Sequence, residues 1–236
     1  MTTTTQRLAG DVRVEVTRKD IRTLRLCVHA PDGRVTVSAP VVLSEASINA
    51  FLLSRLEWIR KHRQRLAARS YEPVYRYRDG ESHLFNGRRY SLKVVECAVP
   101  AGVELGDGLL VLRVRPDTGT ARRRAILDDW YRQQLKAALP GLIAGYQRQM
   151  GVQVHEFRVK RMKTRWGSCN PRARRIWLNL ELAKKPPACL EYIVVHEMVH
   201  LLEPSHNARF HALMDRFLPE WRRHKAVLGR QSPPPW

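Results

Sequence analysis

One segment near the C-terminus constrains the fold most strongly, because it combines a helical pattern with an almost wholly apolar composition. It begins at Pro186-Pro187 and extends to about residue 202. A helix that is apolar all round is buried in a protein core. This one nevertheless carries His196, Glu197 and His200, and burying such groups is costly unless something pairs with them. The segment therefore predicts a buried helix built around a polar site.

These three polar residues form the pattern H-E-x-x-H. Helix positions i and i+4 lie one turn apart on the same face, so His196 and His200 can bind one metal ion. Glu197 is rotated by about 100° from His196, which places its carboxylate beside the open position of the metal. Two neutral imidazoles with one further ligand are typical of a catalytic zinc site. The pattern predicts one catalytic Zn²⁺ and Glu197 as the general base that activates water.

The third metal ligand has two candidates. His206 lies ten residues after His196, the spacing of the longer pattern H-E-x-x-H-x-x-G-x-x-H. Glu203 takes the place of its glycine, and a proline just after Glu203 still turns the chain. Glu220, twenty residues after His200, is the alternative. His206 is favoured because a helix start follows it directly.

Further polar residues near this segment are candidates for orienting a metal ligand from outside. They are Glu203, His211 and Asp215. Such outer residues hold the second nitrogen of a ligating imidazole and fix its tautomer.

The remaining pattern predicts an α+β protein. Residues 1–115 form a mostly β half with one long helix, which runs from Ser44 to Leu66. Residues 116–231 form a zincin-like catalytic half with a small sheet and the active-site helix, and residues 232–236 form a flexible tail. No internal repeat is visible in the sequence.

Alternating apolar and polar runs, helical periods and turn residues locate the elements. Asp32-Gly33 and Asn86-Gly87 are hairpin signals. A helix over 120–150 should break or kink at Pro140-Gly141, and residues 166–171 should form a loop. Strands are predicted at 12–16, 24–28, 34–37, 84–85, 90–95, 109–114, 154–160 and 175–180, and two further helices at 207–217 and 219–228.

Charge and cysteine content limit the partners and the compartment. The chain has 42 Lys and Arg against 22 Asp and Glu, a net charge of +20, which attracts polyanions such as nucleic acid or nucleotides. The arginines are spread along the chain without a nucleic-acid module, so charge alone does not decide the partner. Four widely spaced cysteines predict free thiols. Without a signal-like start or an apolar run of about 18 residues, a cytoplasmic protein outside the membrane is expected.

Several segments together resemble the YgjP-like metallopeptidases, bacterial relatives of the SprT-like and minimal gluzincin-type zinc peptidases. In the C-terminal half these are Arg161 to Cys169, Leu178-Asn179 and Tyr192 to His206. In the N-terminal half, Asp32-Gly33-Arg34-Val35, Glu57-Trp58-Ile59 and Asn86-Gly87-Arg88-Arg89-Tyr90 look like the same family. The resemblance thus covers nearly the whole chain.

The resemblance implies a zinc site of His196, His200 and His206 with Glu197 as the general base. It also implies that the loop Trp166-Gly167-Ser168-Cys169 lies near the active-site helix. The chain departs from the family pattern at His211, which follows Phe210 where a tryptophan is expected. That departure concerns the packing behind His206.

Three functions are compatible with this site. The first is a peptidase, with Asn179, Arg165 and Trp166 as candidate substrate contacts and the strand around 176–180 as an edge that pairs with an extended peptide. The second is a metal-dependent pyrophosphohydrolase of nucleoside triphosphates. Its phosphates would be neutralised by Arg158, Lys160, Arg161, Lys163 and Arg165. The third is a protease held on DNA by the positive charge.

Overall fold

The computed structural model describes residues 4–29, 32–67, 75–98 and 100–229. Within these ranges the protein has the predicted α+β fold, with six α-helices and three small mixed sheets. The predicted tail, 232–236, lies outside the described residues. The chain divides into two compact units, Met1–Tyr71 and Glu72–Trp236.

The first unit consists of a four-stranded sheet and two helices. Its elements are β1 (Thr4–Ala9), β2 (Val12–Lys19), β3 (Arg25–Val28), β4 (Val35–Pro40), α1 (Glu45–Ser54) and α2 (Leu56–Ala67). The strand order is β1-β2-β4-β3, and β2 and β4 pair in parallel while the other pairs are antiparallel. Val14, Val16 and Val37 alternate with outward residues along the strands and form a core with Ile48 and Leu52.

Two local predictions for this unit have different outcomes. The Asp32-Gly33 hairpin is confirmed, since β3 and β4 pair antiparallel and Gly33 has a φ of +69°. The single helix from Ser44 to Leu66 is wrong, because the backbone leaves helical geometry at Arg55, with φ −106° and ψ 2°. The sequence gives no signal of this break, because no proline or glycine lies there and the apolar period continues through it.

The second unit opens with a sheet that has the same topology as the first. Its strands are β5 (Ser82–Phe85), β6 (Arg88–Glu96), β7 (Gly102–Leu105) and β8 (Leu109–Val114). Their order is β5-β6-β8-β7, again with only the middle pair parallel. Each of the two sheets is followed by a helical segment. The same ββββα arrangement therefore occurs twice, although the sequence shows no repeat.

A long helix, α3 (Thr120–Met150), follows this sheet. It runs through Pro140-Gly141 without the predicted break. Leu139 and Ile143, on either side of Pro140, are both buried, and tertiary packing contributes most of the stability of helices in proteins. That packing outweighs the one hydrogen bond that proline removes.

The third sheet and the last helices complete the second unit. They are β9 (Glu156–Lys160), β10 (Gly167–Asn170), β11 (Arg175–Asn179), a 3-10 helix (Leu180–Lys184), α4 (Pro187–Val199), α5 (Ala208–Phe217) and α6 (Trp221–Gly229). The strand order is β10-β11-β9. β10 forms where a loop is expected from the sequence, and its antiparallel pairing with β11 holds it there.

All elements of the second unit share one core. Leu110 and Leu112 of β8 belong to the same apolar cluster as Leu127 and Tyr131 of α3. The division predicted between residues 115 and 116 falls inside this unit, between β8 and α3, and stays a prediction. Within the described residues, no helix combines the length and apolar character that a membrane crossing requires.

Candidate metal centre

Helix α4 is the buried centre of the second unit. It begins at Pro187, where a proline suits the first helical turn, and its C-terminal cap is His200. The turn Asn86-Gly87 holds its start: the Gly87 N–H donates to the Lys184 carbonyl oxygen at 3.2 Å. Gly87 has a φ of +77°, and a Cβ there would lie 2.9 Å from the Pro186 ring. Only glycine meets both conditions at this position.

Three imidazole nitrogens converge at the end of α4. The Nε2 atom of His206 lies 3.1 Å from the Nε2 atom of His196 and 3.1 Å from that of His200. Two nitrogens bound to one tetrahedral zinc ion at the usual bond length lie about 3.3 Å apart. The spacing therefore fits three ligands of a single ion.

Among the described residues, these three histidines form the one cluster of His, Cys, Asp and Glu side chains with metal-binding spacing. Glu220, the alternative third ligand, does not belong to it. Glu220 instead lies before α6, where its backbone carbonyl accepts hydrogen bonds from the N–H groups of Arg223 and His224.

A short turn brings His206 back to α4. The Glu203 N–H donates to the Val199 carbonyl, and the Glu203 carboxylate accepts from the Ser205 N–H at 3.1 Å. The Glu203 carbonyl oxygen lies 3.1 Å from Nδ1 of His200. Donation by Nδ1–H leaves Nε2 of His200 as the lone-pair nitrogen, the tautomer that a metal ligand requires.

Phe210 packs against all three imidazoles. Its ring centroid lies 5.0 Å from that of His196, 4.8 Å from that of His200 and 4.7 Å from that of His206. The ring is buried, so it forms an apolar floor beneath the three nitrogens. The packing behind His206 is therefore intact although tryptophan does not occupy position 211.

The ring of His211, a candidate orienting residue, packs against a tryptophan of α6. Its ring stacks on Trp221 at 5.6 Å with an interplanar angle of 7°, and Trp221 also stacks on Tyr192. Asp215 accepts a hydrogen bond from the Trp221 indole N–H at 2.7 Å. These residues pack behind α4, while the Glu203 carbonyl oxygen lies within hydrogen-bonding distance of the His200 imidazole.

Burial keeps the three histidines neutral. Burial, together with the neighbouring His200 and His206, lowers the pKa of His196 to about 3. Burial also lowers the pKa values of His200 and His206. Neutral imidazoles offer lone pairs to a metal at physiological pH.

Glu197 is the most deeply buried ionisable residue of the site, with 1% of its surface exposed. Burial raises its pKa to about 8, and the nearby Arg165 opposes this rise. Its Oε1 atom is buried and makes no hydrogen bond to another described residue. A buried carboxylate oxygen of this kind is costly unless water or a metal site supplies a partner.

A cleft of about 610 Å³ opens in front of these groups. Arg165, Gly167, Cys169, Glu197, His200 and His206 are among the residues that line it. Burial, with the Glu197 charge beside it, raises the pKa of Cys169 to about 12. Cys169 is therefore held as a thiol, which agrees with a packing role rather than a nucleophilic one.

The three predicted substrate contacts differ in position. Arg165 lines the cleft, whereas Trp166 and Asn179 are buried behind it. The Asn179 amide group donates to the carbonyl oxygens of Met162 and Arg165 at 2.9 and 2.7 Å. In this arrangement Asn179 fixes the loop that carries Arg165.

The sheet edge beside the cleft is not the one predicted. β11 pairs with β10 on one side and with β9 on the other. The prediction that residues 176–180 form an edge is therefore wrong. β10 and β9 are the two edge strands of this sheet, and Gly167 and Cys169 of β10 line the cleft.

The basic residues considered for phosphate binding do not converge. Arg158 and Lys160 lie over the Trp177 ring, at 5.4 and 4.2 Å from its centroid. Arg161 pairs with Glu181 and Asp128. Of the five residues in that set, Arg165 is the one among the cleft-lining residues.

The resemblance places Gly167 in a loop near the active-site helix without assigning it a role, yet it touches the candidate general base. A Cβ atom at this position would lie 2.5 Å from Oε1 of Glu197. The available signal is a glycine within a short strand, which indicates a close approach of another group. The expectation of a loop at 166–171 hid that signal.

A comparison with models of protein families identifies the family of this chain. A family model described as "YgjP-like, metallopeptidase domain" matches residues 22–231. The chain belongs to the YgjP-like metallopeptidase family. It is accordingly a metallopeptidase, a hydrolase that acts on peptide substrates and uses a divalent metal ion.

One solved structure is also similar to part of the chain. It is the crystal structure of the metallopeptidase zymogen of Pyrococcus abyssi abylysin, with 18% identity and a TM-score of 0.35. The match covers 38% of this chain and 90% of that one. A search of curated proteins found no match.

Proposed function

We propose that this protein is a zinc peptidase in which His196, His200 and His206 hold one Zn²⁺ and Glu197 is the general base. The observation that carries the proposal is the convergence of three Nε2 atoms beside a buried carboxylate. Three neutral imidazoles leave one tetrahedral position open, as catalytic zinc sites do. Bound zinc would supply Lewis acidity and lower the pKa of a water molecule.

Glu197 moves the proton in this mechanism. Its carboxylate takes a proton from the attacking water and then gives it to the amine that leaves the cleaved peptide. Burial raises the pKa of Glu197 to about 8, and a nearby cation lowers it again. A carboxylate whose pKa lies near neutrality is suited to both accepting and donating the proton.

We propose that the peptide binds along β10. As an edge strand, β10 has backbone groups free to pair with an extended peptide, and it borders the cleft. Arg165, which lines the same cleft, is the side chain proposed to contact the substrate. Trp166 and Asn179 support that wall from behind.

Nucleotide hydrolysis by the same site stays a prediction with less support. Phosphoanhydride hydrolysis needs several cations at the reacting phosphates, and Arg165 alone of the five proposed cations lines the cleft. Attachment to DNA through the +20 charge and a cytoplasmic location also stay predictions.

One experiment tests the proposal against its alternative. The purified chain is loaded with zinc, its metal content is measured, and it is offered a denatured protein and nucleoside triphosphates in parallel. We expect one zinc per chain, cleavage of the protein, and a loss of at least about 100-fold in Glu197→Gln with zinc retained. Glu197-dependent pyrophosphate release without peptide cleavage would overturn the peptidase assignment.

A further inference from the structure

We propose that Gly167 is a positioning residue for Glu197, because the missing side chain at position 167 leaves the space that the carboxylate occupies. The inference deepens the proposed function and rests on it for the catalytic part. The contact itself is a property of the fold. It can be tested without any activity.

The distances leave no room for a methyl group. A Cβ atom on Gly167 would lie 2.5 Å from Oε1, 2.8 Å from Cγ and 2.9 Å from Cδ of Glu197. Carbon atoms in contact are separated by about 3.5 to 4.0 Å. Alanine at position 167 therefore requires either the strand or the Glu197 side chain to move by about 1 Å.

Backbone conformation does not explain this glycine. Gly167 is not among the glycines with a positive φ. It pairs in regular antiparallel register with Leu178, a geometry that any residue adopts. The space taken by Glu197 is thus the feature that requires glycine here.

Strand β10 is held in place from behind. The Trp166 carbonyl oxygen accepts a hydrogen bond from the Asn179 N–H at 2.8 Å, and the Asn179 amide group fixes the preceding loop. The Trp166 ring is buried, with the Lys185 ammonium 5.6 Å from its centroid. These contacts oppose a retreat of the strand.

Helix α4 is equally unable to retreat. Val194, Val195 and Met198, which surround Glu197 in the chain, are fully buried, and close-packed interiors resist displacement. The Glu197 side chain is therefore the part that moves when position 167 gains a methyl group. Its carboxylate would leave the position beside the three histidines.

A double-mutant cycle on stability tests the contact. Tm is measured for the full chain, with zinc and with a chelator, for Gly167→Ala, Glu197→Ala and the double variant. We expect Gly167→Ala to lower Tm by about 5 °C when Glu197 is present. We expect it to lower Tm by less than about 1 °C when residue 197 is alanine, since the truncated side chain frees the space.

Gly102→Ala is the matched control. Gly102 lies in strand β7, and a Cβ atom there would meet nothing closer than the Arg113 guanidinium at 4.0 Å. Its effect on Tm should be the same whether or not Glu197 is present. Equal losses for Gly167→Ala in both backgrounds would overturn the proposed contact.

Kinetics test the positioning role. With zinc content unchanged, Gly167→Ala should lower kcat by about 100-fold, the cost of a misplacement of about 1 Å, and leave KM within about twofold. An unchanged kcat overturns the positioning role. If the wild-type chain cleaves no peptide, the proposed function fails, and the stability cycle alone decides whether Gly167 sets the place of Glu197.

Discussion

The Nε2 atoms of His206 and His200 lie 3.1 Å apart although His200 caps helix α4 and His206 belongs to the following turn. The Glu203 backbone holds the turn against the helix, because its N–H group bonds to α4 and its carbonyl oxygen lies within hydrogen-bonding distance of Nδ1 of His200. The turn and the helix thus form one unit that presents three nitrogens together.

Removal of His206 should abolish tight zinc binding. Outer-shell changes already lower zinc affinity by about 10 to 100-fold, so we expect His206→Ala to lower it by more than about 100-fold. Competition with a chromophoric chelator measures the affinity. Glu220→Gln, at the position of the alternative ligand, should bind zinc as the wild type does. The opposite pattern would make Glu220 the third ligand.

The metal-free protein should lose stability as the pH rises above 6.5. Burial raises the pKa of Glu197 from 4.5 to about 8, so between these values the folded state holds a proton that the unfolded chain has released. Stability then falls with rising pH, by about 1 kcal/mol per pH unit. The decline in stability that is due to Glu197 is complete once the pH has passed the folded-state pKa of about 8.

His196 masks this trend at lower pH. Burial lowers its pKa from 6.5 to about 3, so the unfolded state binds the extra proton there and stability rises with pH up to 6.5. The visible decline therefore lies between pH 6.5 and 8. Chelator-treated samples followed by Tm measure it, and Glu197→Gln should remove it. A decline of the same slope in Glu197→Gln would contradict the assignment to this carboxyl group.

Truncation of Phe210 should weaken both the fold and the metal site. Removing a buried phenylalanine side chain costs about 3 to 5 kcal/mol, and this ring contacts all three imidazoles. Phe210→Ala should lower the free energy of unfolding by about that amount and reduce zinc affinity. Phe217→Ala, at the partly buried end of the same helix, should cost less and leave zinc affinity unchanged. Chemical denaturation and zinc titration give the two quantities.

Variants of Arg165 and Asn179 should differ, because Arg165 is proposed to contact the substrate whereas Asn179 supports the loop that carries Arg165. Arg165 is exposed, so Arg165→Ala should change the free energy of unfolding by less than about 0.5 kcal/mol and lower kcat/KM for peptides about tenfold. Asn179→Ala removes a buried amide that bonds the loop backbone and should cost about 3 kcal/mol. Denaturation curves and peptide kinetics compare the two variants. Equal stability losses would contradict this division.

Much of the secondary structure follows from local pattern. The hairpins at Asp32-Gly33 and Asn86-Gly87 form because left-handed turn residues are placed between alternating runs. The helix breaks are less predictable. Arg55 interrupts a continuous apolar period, whereas Pro140 leaves α3 intact because the residues on either side of it are packed in the core.

The duplicated topology is a second feature that the sequence hides. Strand order depends on which strands pair, and strand pairing constrains the pattern of buried positions rather than residue identities. Two ββββα segments can therefore share their connections without a detectable repeat.

The chain itself determines the family and the three residues of H-E-x-x-H, because positions four apart on a helix always share a face. Only the tertiary structure decides what surrounds Glu197: an edge strand thirty residues earlier brings Gly167 against its carboxylate. Such contacts join segments that no local period connects. Space around a buried side chain is set by the packing of several elements at once.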